Sequence, residues 1–282
     1  MSAKSLFLLS LLAAAGVQAA PLSFKTVSTT VKANCVKSSL PDRTDCHELE
    51  VAYPQTGDKA LDVWARRQMQ KAVGTDNLSP KALKAFWLKN EEVAEVNKDN
   101  KEREKDDSAC HLSVIHALQL EGQTPNYAVF GEEDWGYHCG PHGNGTHTWS
   151  VVKRGTAKPK ALALKDILLP GGHAKLVKLQ KTAAAEGLLN GHSDDFSSLQ
   201  DAIRSLDDYN GKNFKGTDNW RFAKGGLMFE FQSYEIGPYL LGRPTAYIPL
   251  AKLKGIVKPE ILREAAHYQI SPDILKEDKN AR

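Results

Sequence analysis

One short segment concentrates side chains that could bind a metal ion. His138, Cys139, His142 and His147 lie within ten residues, and Asp134 precedes them. Imidazole, thiolate and carboxylate groups are all zinc ligands. A Gly-Pro pair between the first two histidines breaks the helix that would align them on one face. We therefore expect no metal or other cofactor; if a metal binds, His138, His142 and His147 are its candidate ligands. The alternative interpretation is a glycine-rich connection before a strand.

The sequence contains no familiar catalytic motif. His-Glu-x-x-His, Gly-x-Ser-x-Gly and the phosphate-binding glycine-rich loop are all missing. Acidic pairs such as Asp194-Asp195 are typical of solvated loops. We assign no catalytic residue and expect a binding protein without catalysis. The alternative is a cell-wall hydrolase or metal-dependent enzyme that uses the His138–His147 loop.

Aromatic and acidic side chains are the candidate ligand-binding residues. Tyrosine and tryptophan are enriched at binding hot spots, and an acidic run beside a tryptophan suits a basic partner. The alternative is that the aromatic residues only pack the sheet and its turns. The candidates are Glu132, Glu133, Asp134, Trp135, His142, Tyr234 and Tyr239.

The charge balance bears on the class of partner. The 282 residues carry 37 Lys and Arg against 34 Asp and Glu, a formal net charge of +3. Dedicated nucleic-acid binders usually have a larger basic excess, so we expect no nucleic-acid partner.

Residues 1–19 predict a secretory signal peptide. Lys4 precedes an uncharged, mostly apolar run over residues 6–17, and small residues follow. This pattern is typical of a cleavable signal, and the run is shorter than the roughly 20 apolar residues that span a membrane. We expect cleavage after Ala19, or alternatively after Ala20, and a soluble periplasmic or secreted protein without a membrane span.

Export would place the four cysteines in an oxidising compartment, where they suggest two disulfides. Pairing in chain order, Cys35–Cys46 and Cys110–Cys139, closes two local loops. The alternative joins Cys35 or Cys46 to Cys110.

Helices and strands must position these side chains. Apolar spacing predicts a helix over residues 59–73, and Ser79-Pro80 predicts the start of a second helix. Residues 88–107 carry dense charge of both signs and indicate a solvated helix extension or loop. Alternating, β-branched runs predict strands at residues 24–31, 49–53, 111–118, 127–130, 148–153, 227–232 and 245–250.

The remaining segments complete the expected fold class. Residues 131–148 are predicted to form a loop. Further helices are expected from Leu176 to Gly187 or Gly191, over residues 196–206 and from Pro259. Because strands come in pairs, the pattern favours an α+β fold with antiparallel sheets and packed helices in two small units. The expected division is a signal peptide at 1–19, an N-terminal α+β unit with charged connector at 20–108, and a C-terminal unit at 109–282.

Three blocks of the C-terminal unit resemble the RsiV C-terminal domain family (DUF3298). The main block is GGLMFEFQSYEIGPYLLG at residues 225–242, followed by Tyr-Ile-Pro-Leu at 247–250. Upstream, Gly-Pro-His-Gly at 140–143 and Leu-x-Leu-x-Asp-Ile-Leu at 162–168 are similar to two further family elements. Together the blocks cover about residues 138–262. Residues 49–54 and the following helix resemble, more weakly, the N-terminal companion domain (DUF4163-like) of RsiV and PdaC.

The resemblance implies an extracytoplasmic α+β module without established catalysis. In RsiV such a region binds lysozyme, so a lysozyme-like protein, or another cell-envelope component, is the expected partner. Anti-sigma activity and deacetylation are not expected. This chain has a cleavable signal instead of a membrane helix, and it lacks the Thr-Phe-Asp-Asp-Gly motif of the deacetylases.

Overall fold

The computed structural model describes residues 21–37, 44–102, 109–272 and 274. The predicted signal peptide, residues 1–19, lies outside this part of the chain. Within the described ranges, no helix is both long and apolar enough to cross a membrane.

A six-stranded sheet forms the centre of the fold. Five of its strands lie side by side in chain order: β1 (Lys25–Lys37), β2 (Thr44–Gln55), β3 (Ser113–Gln123), β4 (Tyr127–Tyr137) and β5 (Asn144–Lys153). The two-residue strand Gln269–Ile270 pairs with the end of β3. β2 and β3 are parallel, and the other neighbouring strands are antiparallel. The sheet therefore contains one parallel pair among antiparallel ones, and the expected α+β class with antiparallel sheets is confirmed.

Parallel strands need a connection that crosses over the sheet, and three helices provide it: α1 (Lys59–Val73), α2 (Pro80–Leu88) and α3 (Glu91–Glu102). Both predicted helix starts are confirmed. The Asp58 side chain caps α1, and Ser79 caps α2 with Pro80 at its first position. α3 lies within the charged segment and buries Val93.

The C-terminal residues fold around a three-stranded antiparallel sheet in the order β6 (Trp220–Ala223), β7 (Gly226–Glu230) and β8 (Thr245–Pro249). The sequence pattern does not predict β6, because four residues are too few to show alternation. The surrounding helices are α4 (Leu164–Ile167), α5 (Gly172–Gly191), α6 (Leu199–Tyr209), α7 (Leu250–Leu253) and α8 (Pro259–Ala266). A 3-10 helix at Tyr239–Leu241 lies between β7 and β8.

The large sheet has a hydrophobic core on each face. Along β4, Phe130 faces the core beneath α1, where its ring lies 4.9 Å from the Trp64 ring. Val129 and Val151 face the core of the C-terminal elements. Because successive side chains of a strand point to opposite faces, β4 and β5 contribute to both cores.

The prediction of a loop over residues 131–148 is wrong, because most of this segment is strand. β4 continues to Tyr137 and β5 begins at Asn144, so the turn is short. Glu133 lies opposite His147 in the register of these strands. Glycine and acidic residues are depleted in strands, so this segment lacks the alternation of apolar and polar residues that would predict β4 and β5 over their full length. Pairing of β4 with strands on both sides overrides this weak local preference.

The predicted boundary between residues 108 and 109 falls between β2 and β3. These strands pair from Glu48 and Ser113 to Ala52 and Ala117. Residues on the two sides of the boundary therefore share one sheet.

Both disulfides predicted by pairing in chain order are confirmed. Cys35–Cys46 joins β1 to β2 with 4.1 Å between the Cα atoms. Cys110–Cys139 joins the segment before β3 to the turn between β4 and β5, with 5.6 Å between the Cα atoms. The alternative pairing to Cys110 is therefore wrong.

Candidate functional site

Strand alternation divides the acidic run that is expected to form one patch. Phe130, Glu132 and Asp134 point to the side of α1, whereas Glu133 and Trp135 point to the opposite side. The three consecutive carboxylates therefore do not share a surface.

The two carboxylates on the α1 side have close partners. Asp134 lies beside His116, with 3.2 Å between Oδ1 and Nδ1. Burial lowers the pKa of His116 despite the nearby Asp134 charge. Burial, together with the Asp134 charge, raises the pKa of Glu132, and Lys71 opposes the shift.

On the other side of the sheet, Glu133 is neutralised by an arginine. Arg243 Nη1 lies 2.9 and 2.7 Å from the two carboxylate oxygens of Glu133. Arg243 follows the 3-10 helix, so this contact brings the loop between β7 and β8 against β4.

This loop and the turn between β4 and β5 form an exposed aromatic surface, which we define by His142, Tyr234, Tyr239 and Leu240. The rings of His142 and Tyr239 stack with centroids 4.0 Å apart and an interplanar angle of 18°. The Tyr234 ring lies 5.5 Å from Tyr239. Tyr234 is 48% exposed, Tyr239 36% and Leu240 79%. Two segments about 90 residues apart in the sequence thus meet in one aromatic surface.

Trp135 supports the turn that carries His142. Gly143 lies on the Trp135 ring, and any side chain at position 143 would overlap that ring. This close approach places the Gly143 carbonyl where the Tyr239 hydroxyl donates a hydrogen bond to it at 2.9 Å. Trp135 is therefore a support of the aromatic surface.

Tyr234 has a strained backbone. Its φ is +66°, in the left-handed region that costs a residue with a side chain about 1–2 kcal/mol. The Tyr209 hydroxyl donates to the Tyr234 carbonyl at 3.0 Å, and the Gln232 N–H donates to Glu235 Oε2 at 2.7 Å. These bonds hold the loop in this conformation although the Tyr234 side chain is half exposed.

The candidate metal ligands do not converge. His138 pairs with Glu92 of α3, and His142 stacks on Tyr239. His147 is partly buried and contacts Glu121 and Glu230, and Cys139 is in a disulfide. Across the described residues, no three His, Cys, Asp or Glu side chains are arranged to hold a metal ion.

The partners of His147 form a charged cluster that the sequence analysis missed. His147 Nδ1 lies 2.7 Å from Glu230 Oε1, and Nε2 lies 3.2 Å from Glu121 Oε1. Burial alone lowers the pKa of His147, but the hydrogen bonds and charges of Glu121 and Glu230 outweigh burial and raise it to about 9. His147 is therefore an imidazolium at neutral pH.

A second cation completes this cluster. Arg221 Nε lies 3.4 Å from Glu121 Oε2, and the guanidinium lies 4.7 Å from the centre of the Trp149 ring. Arg221 Nη1 also lies 3.2 Å from the Tyr268 hydroxyl. Burial raises the pKa of Tyr268 to about 12, so its hydroxyl stays protonated.

Two side-chain amides cover the outer edge of β5. Gln232 accepts from the His147 N–H at 3.0 Å and donates to the His147 carbonyl at 2.7 Å. Asn219 accepts from the Trp149 N–H at 2.7 Å and donates to the same carbonyl at 2.9 Å. These amides replace a neighbouring strand and satisfy backbone groups that would otherwise be open for pairing.

A signal for the missed residues exists in the strand of residues 227–232. Leu227, Phe229 and Phe231 lie on one face, which leaves Glu230 and Gln232 together on the other. Two polar residues at this spacing in an apolar strand indicate polar contacts with another element.

Comparison with known proteins agrees with this fold. Residues 165–251 match the family described as "Protein of unknown function (DUF3298)". We call residues 165–251 the DUF3298 domain because of this match. Among curated proteins, none matches the chain.

Crystal structures of two DUF3298 family proteins share the fold. The protein from Pseudomonas aeruginosa PAO1 has a TM-score of 0.59 and 18% identity, covering 86% of this chain and 97% of that chain. The protein from Bacteroides fragilis NCTC 9343 has a TM-score of 0.63 and 16% identity, covering 87% of this chain and 98% of that chain. The likeness in fold therefore extends beyond the DUF3298 domain. The N-terminal companion domain stays a prediction.

The DUF3298 domain supplies part of each cluster. Tyr234 and Tyr239 of the aromatic surface and Glu230 of the charged cluster lie within residues 165–251, whereas His142 lies in the turn between β4 and β5 and His147 lies on β5. Both clusters therefore depend on how the domain is placed on β4 and β5.

Replacing Gly131 should test the packing of the charged cluster. A Cβ at this position would lie 2.7 Å from His147 Nε2 and closer still to Glu121 Oε1. The Glu121 carboxylate cannot move away without leaving His147 and Arg221, so Gly131→Ala should destabilise the protein by about 1–3 kcal/mol in urea unfolding. Gly140→Ala is the control, because its nearest neighbour is 3.8 Å away. Equal effects of the two substitutions would contradict the packing argument.

The charged cluster also predicts a pH dependence of stability. The pKa of His147 rises from 6.5 in the unfolded chain to about 9 in the folded protein. The resulting stabilisation, on the order of 3 kcal/mol, is fully present below pH 6.5 and is lost as the pH rises through 9. Between pH 6 and 10 the free energy of unfolding should therefore fall by about 2–3 kcal/mol more in the unsubstituted protein than in His147→Gln. If chemical denaturation gives parallel pH profiles of the free energy of unfolding for the unsubstituted protein and His147→Gln, the pKa of His147 does not rise on folding.

Proposed function

We propose that this protein is an exported binding protein without catalysis, and that it binds its ligand on the aromatic surface. The ligand is a lysozyme-like protein or another cell-envelope component. The proposed location is the periplasm or the extracellular medium, after removal of residues 1–19. Two disulfides support this location, because disulfides are typical of proteins outside the reducing cytoplasm.

The exposure of Tyr234, Tyr239 and Leu240 carries the proposal. Large apolar side chains that cluster on the surface mark interaction sites, and tyrosine contributes to hot spots through both its ring and its hydroxyl. The stacked His142 and Tyr239 rings are already ordered in the free protein. Binding therefore loses little side-chain entropy at these positions.

The backbone strain at Tyr234 supports the same assignment. A strained residue persists where the surrounding structure enforces its conformation, and such residues cluster at functional sites. In its strained conformation, Tyr234 is 48% exposed, and its ring contributes little to the hydrophobic core. A ligand that packs on this ring would account for the cost.

A basic protein is the first partner to test. The lysozyme resemblance suggests it, and tyrosine faces attract cationic side chains. Glu235 is exposed beside Tyr234, whereas Glu133 is neutralised by Arg243. We expect the aromatic rings, rather than the acidic run, to dominate the affinity.

Calorimetric titration of the mature protein with c-type lysozyme tests this function. Tyr239→Ala should weaken binding at least tenfold, because it removes the central ring of the surface. Tyr247→Ala is the matched control: Tyr247 is 40% exposed on β8 and hydrogen-bonds to the Lys224 carbonyl. The affinity of the control should stay within twofold of that of the unsubstituted protein.

Absence of binding at high micromolar concentration with both disulfides intact would exclude lysozyme as the ligand. Binding insensitive to Tyr239 would exclude the surface.

Tyr234→Gly should separate binding from stability. Glycine adopts a φ of +66° without strain, so the substitution should leave the free energy of unfolding unchanged or raise it by up to about 1 kcal/mol. Ligand affinity should fall because the exposed ring is lost. A variant that is clearly less stable than the unsubstituted protein would show that Tyr234 is mainly a packing residue.

A further inference from the structure

We propose that the Cys110–Cys139 disulfide, held by helix α3, fixes the turn between β4 and β5 and so regulates the aromatic surface through its oxidation state. The regulation of ligand binding rests on the function proposed above. The proposed coupling between the disulfide and the aromatic rings is a property of the free protein and does not depend on a ligand.

The disulfide has a firm anchor on its Cys110 side. The Asn100 side chain of α3 donates to the Cys110 carbonyl at 2.7 Å and accepts from the Cys110 N–H at 2.9 Å. Both backbone groups of Cys110 are thus bound by one side chain. Cys139 is joined to this fixed point and lies in the turn between β4 and β5.

A second contact connects α3 to the same turn. Glu92, in the first turn of α3, forms an ion pair with His138. Cys139 itself has a φ of +65°, an unfavourable conformation for a residue with a side chain. On the α3 side, the disulfide and the contact between Glu92 and His138 both oppose relaxation of this turn.

The aromatic surface begins three residues further along. His142 stacks on Tyr239, and the Gly143 carbonyl accepts from the Tyr239 hydroxyl. Three extended residues span at most about 10 Å, so Cys139 cannot move far from its position without also displacing His142. The turn is therefore held by α3 on one side and holds the Tyr239 ring on the other.

The chemistry of release is thiol–disulfide exchange. A small dithiol reduces the bond in two successive exchanges: the dithiol becomes a disulfide, and Cys110 and Cys139 each gain one electron and one proton as thiols. Both cysteines are half-buried and therefore within reach of such a reagent. The second disulfide, Cys35–Cys46, joins β1 to β2, and β3 separates these strands from β4 in the sheet.

The experiment compares two double variants by amide hydrogen exchange without ligand. Cys110→Ser/Cys139→Ser should exchange at least tenfold faster than the unsubstituted protein in residues 140–146 and also in residues 234–242. Cys35→Ser/Cys46→Ser, the matched control, should leave both segments unchanged. Faster exchange confined to residues 140–146 would overturn the proposal, because the surface would then be independent of the disulfide.

A milder variant covers the case in which the first double variant does not fold. Glu92→Gln removes the charge pair with His138 and leaves both disulfides intact. It should accelerate exchange in the same two segments by a smaller factor, and Glu95→Gln, on an exposed position of α3, should not. Unchanged exchange in Glu92→Gln together with unchanged exchange after dithiol reduction would overturn the proposal.

Titration with lysozyme distinguishes this inference from the proposed function. If lysozyme binds, Cys110→Ser/Cys139→Ser should lose at least tenfold in affinity while the control pair stays within twofold. Equal affinities of the two double variants would overturn regulation by the disulfide. If lysozyme does not bind the unsubstituted protein while exchange in both segments responds to the disulfide, the lysozyme function fails and the coupling stands.

Discussion

Glu121 and Glu230 are buried between the large sheet and the C-terminal sheet, and both bind the same imidazolium, His147. Burying a carboxylate costs several kcal/mol unless a charge and hydrogen bonds compensate. His147 and Arg221 compensate two carboxylates with two positive charges. The cluster therefore forms only when the DUF3298 domain is placed correctly on β4 and β5, and this placement also brings the aromatic loop to the turn.

The aromatic surface follows from the same placement. Gln232 binds the backbone of β5 on one side of the loop, and Arg243 binds Glu133 on the other. Tyr234 and Tyr239 lie between these two attachments. This loop is thus tied to the sheet at both ends, and its middle is strained and exposed.

Prediction from sequence succeeds where a structure depends on local interactions. The cap at Asp58 and the apolar spacing define α1, and Ser79-Pro80 defines the start of α2. The prediction of a loop over residues 131–148 is wrong because strand pairing is non-local. The register of β4 with β3 and β5 decides the conformation there, and the single sequence contains no direct signal for it.

The candidate site shows the same division. The sequence by itself determined the residue types, the local helices, and a disulfide pairing that closes the shortest loops. Tertiary structure decided that Glu133 faces the side of the sheet opposite to Glu132 and Asp134. It also decided that His142 stacks on Tyr239 and that His147 lies between two carboxylates. The physical reason is that strand register decides which face of a sheet a side chain lies on, and core packing decides which elements contact each other. Strand register and core packing both depend on residues far apart in the chain.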